Sequence, residues 1–441
     1  MSPNNSSILS IFPFNTRVNS QGHLVIGGCD ATALAQEFGT PLYVLDEFTI
    51  RTKCQEFRFE FSKRYPDILV IYAAKAFINP SLANIIKQEG LGMDVVSGGE
   101  LSIAQSAAFP PEKVYFHGNN KTASELKLAL NWGIGRVVVD NLFELDLLNK
   151  MAQETNKKQD ILLRINPGVD PHTHRFTTTG ILDSKFGLPL TTGQAEAAII
   201  RASSASHLSL LGLHFHLGSP ISEINPYQVA IELALKFAQK MKAKHGFDLR
   251  ELSPGGGFAV QYTPRPKIPS VSDYADAIVS KLKYVSDKLN LAHPRCTIEP
   301  GRGVLAQAGV ALYSIGSIKK IPKVRTYAAV DGGIGDNIRP ALYQAKYEAI
   351  VANKANQEMT TKVTIAGRYC ESGDILVKDV VLPPLSPGDI IAIPASGAYS
   401  IPMSSNYNAV PRPAIVMVKD GEPRLVRRRE SYQDLISLDI N

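Results

Sequence analysis

Four short stretches carry side chains that can do chemistry, and each closes a run of apolar residues: Tyr72-Ala-Ala-Lys75-Ala76, His214-Phe-His216-Leu-Gly218-Ser219, Pro254-Gly255-Gly256-Gly257 and Glu299-Pro300-Gly301-Arg302. A lysine at the inner end of an apolar strand loses solvation, which lowers its pKa and frees the amine to form a Schiff base. Taken alone, a lysine just past a strand is more often a surface residue. Three successive glycines let the backbone come close to an anion and aim its N–H groups at it, with Ser219 adding a hydroxyl and Arg302 a guanidinium. Phosphate suits that set, although an isolated glycine triplet is usually a plain turn. Glu299 can keep a heterocyclic nitrogen protonated and so deepen an electron sink; its simpler role is an ion pair with Arg302. His214 and His216 are two apart on a strand and point to one side, an arrangement that could ligate a metal. No third ligand with suitable spacing stands out, and no metal is expected. His216, nearer the strand end, is the better placed to lie flat against a ring.

These residues need a scaffold that brings strand ends together. From Ile68 onward a short β-branched run recurs, followed each time by Gly, Asn or Ser and then by a helix-period segment. That alternation marks parallel βα units. The runs cover residues 68–74, 93–96, 114–117, 136–140, 161–165, 210–217, 249–253 and 296–299. Start signals follow the early ones: Asn79 with Pro80, Ser97 with Glu100, Thr122 with Glu125, and Asn141 with Glu144, while Gly90 and Gly133 are natural stops. Eight such units, with no early G-x-G-x-x-G, predict an α/β fold with a closed (β/α)8 barrel rather than an open sheet. In such barrels the active face lies at the C-terminal strand ends, and the loops after the last two strands are the usual phosphate site. After about Val310 the rhythm becomes strand and turn, which predicts a mainly β second domain. The expected division is a barrel over 42–310 and a β-sandwich-like domain from 1–41 with 311–441.

The 441 residues are 44% hydrophobic and 20% charged, with 47 basic and 41 acidic side chains interspersed. The resulting net charge of +6 forms no basic stripe, which argues against nucleic acid or a membrane surface as partner. Cys29, Cys54, Cys296 and Cys370 lie far apart without a CxxC pair, so neither a zinc site nor a disulfide framework is expected. A reducing cytoplasmic setting fits. The start, MSPNNSSILSIFPFNTR, has no basic region followed by a long apolar run.

With a lysine, paired histidines, GGG and EPGR in this order, the chain resembles the alanine-racemase-barrel class of pyridoxal-phosphate enzymes, and within it the diaminopimelate decarboxylase family. The likeness covers most of the chain: YAAKA, LGMDVVSGGEL, FHGNNK, RINPGVDPHTH with DSKFG, LHFHLGS, EPGR, IRPALY, GRYCESGDIL and GAYSIPMSSNYN. The resemblance implies that Lys75 holds pyridoxal 5'-phosphate covalently and that His216 stacks on its ring. It places Ser219, Gly256, Gly257, Glu299, Gly301, Arg302 and Tyr399 around the cofactor. Arg302, Arg339 and Tyr343 are implied to bind the substrate carboxylate that is kept, with Tyr399 also counted in the substrate site, and Glu371 to hold the distal ammonium group. Cys370 is implied to be the proton donor, reaching the partner subunit's site in a homodimer. The implied reaction is decarboxylation of meso-2,6-diaminopimelate to L-lysine, the last step of lysine biosynthesis. Glutamate at 371 favours this substrate over ornithine or arginine, whose decarboxylases tend to carry aspartate there.

The chain departs from the family at Pro220, where glutamine is common after HxGS. Any contact made by that amide is lost here. Without the resemblance, Cys370 reads as a small buried hydrophobe and Arg339 with Tyr343 as a pair on one helix face.

Overall fold

The computed structural model describes residues 7–171, 173–174 and 177–440. The chain divides into two compact units: Lys53–Ala259 with Ile268–Gly303, and the chain up to Thr52 with Val260–Lys267 and everything from Val304 onward.

The first unit contains eight parallel strands: β1 Ile68–Ala73, β2 Gly92–Val95, β3 Val114–Phe116, β4 Arg136–Val139, β5 Gln159–Asn166, β6 Leu208–His214, β7 Glu251–Gly255 and β8 Arg295–Ile298. Each pairs with the next, and β8 returns to β1 through Cys296 opposite Ile68 and Ile298 opposite Val70, so the barrel closes. The strand lengths differ by only a residue or two at most ends from the runs visible in the sequence. Both barrel faces are covered, which is why these strands read as near-continuous apolar runs rather than alternating ones.

The helix starts follow the capping chemistry. Asn79 accepts from the Leu82 N–H at 2.8 Å with Pro80 in the first turn, and Ser97 accepts from Glu100. Thr122 and Glu125 form a reciprocal capping box, and Asn141 accepts from Glu144. Each such cap is worth about 1 kcal/mol. Gly133 closes its helix in the left-handed conformation at φ 77°. Inside the barrel, Ile71, Tyr115, Val138 and Leu162 form a buried layer. Beside it Glu251 accepts from the Tyr115 hydroxyl at 2.7 Å, the Thr297 hydroxyl at 2.9 Å and Arg136 Nε at 3.1 Å. With its acceptors satisfied, this buried carboxylate can hold the side of the barrel away from the strand C-termini.

The second unit is built on one mixed sheet. Its order is Ile375–Leu382, Thr361–Ala366, Arg325–Val330, Gly309–Ile321, Leu42–Asp46, Ala414–Lys419 and Glu422–Arg427. Two pairings are parallel, Arg325–Val330 with Thr361–Ala366 and Ala414–Lys419 with Leu42–Asp46. Leu42–Asp46 was expected inside the barrel segment; it lies in this sheet because Leu42 to Leu45 pair with Leu312 to Gly309 on one side. Its side chains are all buried, and Phe12, Leu24, Ile26, Leu42, Val44 and Val416 share one core. Among the described residues no helix is long and apolar enough to cross a membrane.

Candidate active site

At the C-terminal end of β1 the chain turns through Ala74–Ala76, a single tight turn that carries Lys75. The lysine therefore sits just past the strand rather than in it. Its side chain keeps 36% exposure, and Nζ lies 3.5 Å from Oδ2 of the fully buried Asp94 at the end of β2. Burial pushes the Asp94 carboxyl up to about 7, although the Lys75 ammonium pulls it down. Lys75 lines a cavity of about 370 Å³ together with His117, Arg164, His214, His216 and Glu299.

Glu299 follows β8 and is the electrostatic centre of this cavity. Its Oε2 lies 3.2 Å from His214 Nε2, and its Oε1 accepts from the Ser253 hydroxyl at 2.8 Å. His117 Nε2 stands 3.6 Å from Glu299 Oε1 and 3.7 Å from Asp94 Oδ1. Burial opposes ionisation of Glu299, but His214, His117 and Lys75 outweigh it and hold the carboxyl well below its usual range. Burial pushes both His117 and His214 below the usual imidazole range. Ionised Glu299 thus has Ser253 and His214 on its two oxygens, with the Lys75 ammonium favouring its charge.

His216 lies two residues beyond the end of β6, so it is placed by the loop, whereas His214 is the last residue of the strand. Its Nδ1 accepts from the Gly256 N–H at 3.3 Å, which fixes the ring against the glycine turn. A Cβ at Gly256 would lie 2.2 Å from the Glu299 carbonyl oxygen, and Gly257, at φ 109°, has the Gly218 carbonyl oxygen 2.4 Å from where its Cβ would be. Only glycine fits there. The expectation that all three glycine amides aim at an anion is not met, because Gly255 N–H bonds Ser253 Oγ at 3.2 Å and Gly256 N–H bonds His216. Ser219 accepts from Arg302 Nε at 3.1 Å, so the expected hydroxyl and guanidinium are adjacent. Gly301 packs a bare Cα against Ala73 and Ala76. Pro220 is exposed.

In the second unit, Arg339 and Tyr343 open and close the short helix Arg339–Tyr343. Arg339 is buried, and its Nη1 donates to the Tyr347 hydroxyl. Cys370 and Glu371 lie in a loop clamped by Asp374, whose carboxylate accepts from the Tyr369 N–H at 2.9 Å and the Ile334 N–H at 2.7 Å. Cys370 N–H donates to Asn408 Oδ1 at 2.9 Å. Both side chains are exposed, and Cys370 is the exposed thiol of the four, so within the chain it is not a buried small hydrophobe. Tyr399 is half-buried at φ 61°, a conformation a tyrosine rarely adopts.

A pyridoxal ring fits the barrel donor set: an amine for its aldehyde, a carboxylate for its nitrogen, and a guanidinium with a hydroxyl for its phosphate. His117 Nε2 and His214 Nδ1 are buried without hydrogen-bond partners and line the same cavity. Residues 48–306 match the family model described as pyridoxal-dependent decarboxylase, pyridoxal binding domain. The chain is 45% identical over 425 residues to the diaminopimelate decarboxylase of Bacillus subtilis (strain 168), covering 96% of this chain and 97% of the relative. The chain belongs to the diaminopimelate decarboxylase family. A second member, from Synechocystis sp., is 43% identical with 98% and 93% covered. The crystal structure of diaminopimelate decarboxylase from M. jannaschii in co-complex with L-lysine superposes with a TM-score of 0.91 at 35% identity, covering 97% of this chain and 98% of that one. As a member of this family the protein is a pyridoxal-phosphate-dependent carboxy-lyase.

Asp94, His117 and Arg164 fall within the recognisable stretches LGMDVVSGGEL, FHGNNK and RINPGVDPHTH but are not among the expected site residues. The signal was present, since each is an ionisable residue at or near the end of a predicted strand. One nitrogen or oxygen each of His117, His214 and Glu299 lie within 4.8 Å of one another, a convergence that spacing alone did not reveal. Arg164 spans the cavity wall, 4.3 Å above the Phe186 ring. Of the RINPGVDPHTH motif, His172 lies outside the described residues.

Proposed function

We propose that Lys75, Glu299 and their neighbours at the barrel's C-terminal face decarboxylate meso-2,6-diaminopimelate to L-lysine and carbon dioxide. The observation that carries this reading is the cavity in which an amine, an ionised buried carboxylate and three imidazoles converge.

Bound pyridoxal phosphate supplies the electron sink for the carbon that loses carbon dioxide. Lys75 is the amine that holds it, and Asp94, with a carboxyl that titrates near neutrality, is a proton acceptor for that amine. Glu299 is assigned to the ring nitrogen, where a carboxylate keeps the proton in place; Ser253 and His214 orient it. His216, fixed by Gly256, supplies a flat apolar face. Ser219, Arg302 and the Gly257 and Gly301 backbone serve the phosphate end, Gly256 seats the His216 ring against the cofactor, and Tyr399 completes the cofactor site.

Arg302, Arg339 and Tyr343 bind the carboxylate that is kept, and Glu371 the ammonium beside it. Cys370 donates the proton that replaces carbon dioxide, a task suited to a thiol held near the carbon. Because Cys370 and Glu371 project from a loop whose backbone is clamped, their exposed side chains are poised to serve a neighbouring chain, which supports a homodimer with shared sites. The setting is cytoplasmic. Offering the protein diaminopimelate, ornithine and arginine in turn tests the reading. Carbon dioxide is expected from diaminopimelate, with L-lysine in equal amount; release from ornithine or arginine alone would overturn the substrate assignment.

A further inference from the structure

Arg339 is 4% exposed, yet no carboxylate among the described residues pairs with it. Its Nη1 donates to the Tyr347 hydroxyl, and its Nε has no hydrogen-bond partner. The guanidinium carbon lies 4.7 Å from the Tyr262 ring centroid and 5.5 Å from that of Tyr347. Those two rings meet edge to face, with centroids 5.5 Å apart and planes at 85°. Tyr262 comes from the Val260–Lys267 segment, which packs within the same compact unit as Arg339 and Tyr347.

A buried cation without a counter-ion is costly unless something replaces its water. Here two perpendicular aromatic rings do so, through the negative potential of their faces. The rings also fix the plane of the guanidinium. With Nη1 engaged by Tyr347 and the guanidinium also hydrogen-bonded to the Tyr262 side chain, Nε remains for an incoming carboxylate.

We infer that the aromatic corner of Tyr262 and Tyr347 is the positioning element that makes the enzyme select substrates with a second carboxylate. The inference rests on Arg339 being the group that binds the retained carboxylate. A substrate or product that lacks this carboxylate leaves Arg339 buried and unpaired, and such a missing ionic partner discriminates far more strongly than a missing methylene. The corner thereby favours α,ω-diamino acids with carboxylates at both ends over simple diamino acids.

The test uses the holoenzyme and two probes that differ in one group: L-lysine and its decarboxylated counterpart cadaverine. Tyr347→Phe removes the hydroxyl and keeps the ring, while Tyr262→Leu removes a ring face. Each is expected to raise the inhibition constant of L-lysine and the KM for diaminopimelate by about tenfold, the scale of one desolvated cation–π or charged hydrogen bond. The kcat, the cofactor Kd and the inhibition constant of cadaverine should stay within about twofold of wild type. Arg339→Lys is measured beside them. If it weakens L-lysine and spares cadaverine while both tyrosine variants leave L-lysine unchanged, the corner has no positioning role. If Arg339→Lys leaves L-lysine unchanged, the assignment of Arg339 itself is wrong. Equal weakening of both probes in the tyrosine variants would mean a general structural effect and also overturn the inference.

Discussion

His214 Nε2 lies 3.2 Å from Glu299 Oε2, and both side chains are buried at the end of the barrel. With Ser253 on the other oxygen, the carboxylate has its orientation set before any ligand arrives. Electrostatic groups that need no reorganisation contribute most to a charged transition state.

Replacing this carboxylate by its amide, Glu299→Gln, keeps the shape and the Ser253 contact but cannot hold a ring nitrogen protonated. The kcat for diaminopimelate is expected to fall by ~10²–10³-fold, with cofactor content at saturation unchanged. Steady-state rates and cofactor absorbance measured together check this; wild-type kcat in the variant contradicts the assignment.

Cys370 is exposed whereas Cys29, Cys54 and Cys296 are buried. Burial pushes the Cys296 thiol up to about 12, so it is inert at neutral pH. Iodoacetamide is therefore expected to modify Cys370 first and to abolish turnover in step with labelling. Cys370→Ala should lower kcat by roughly 10²-fold, the contribution of a positioned proton donor.

Ser219 accepts a hydrogen bond from Arg302 at 3.1 Å, linking the two groups assigned to phosphate. Ser219→Ala should raise the cofactor Kd about tenfold, as one hydrogen bond to a charged group is worth ~1.5 kcal/mol. Equilibrium dialysis of the apoenzyme with pyridoxal phosphate measures it.

Asp336 is buried in the second unit, accepting from Tyr313 at 2.5 Å and from Gly333 N–H at 3.0 Å. Burial pushes its carboxyl up to about 7 from an ordinary 3.8. In the folded chain it keeps a proton that the unfolded chain has already released. Stability is accordingly lost as pH rises from about 4 to about 7, by at most ~4 kcal/mol at ~1.4 kcal/mol per unit. Asp336→Asn should flatten this dependence, so that its melting midpoint gains on wild type as pH rises from 5 to 8. Parallel midpoints across that range would contradict the sign.

The barrel was legible because parallel strands covered on both faces leave unbroken apolar runs, and because Asn79, Thr122 and Asn141 announce their helices locally. Lys75, Glu299 and the glycine triplet were legible for the same reason: each directly follows such a run. What escaped was convergence between distant strands. Nothing in the spacing of Asp94, His117 and His214 says that closure of β8 onto β1 brings all three to Glu299. Tyr262 and Tyr347 lie outside every recognisable motif, and their relation to Arg339 exists only after the Val260–Lys267 segment joins the second unit. Leu42–Asp46 falls inside the 42–310 segment expected for the barrel, and its pairing partners place it in the second unit's sheet.

Lys75 is the amine proposed to hold pyridoxal phosphate, and every other assignment in the site follows from it. Borohydride reduction of the holoenzyme followed by peptide mass mapping tests it directly. A stable pyridoxyl adduct on the peptide containing Lys75, absent from Lys75→Ala, is the predicted result; an adduct on another lysine, retained in Lys75→Ala, would contradict it.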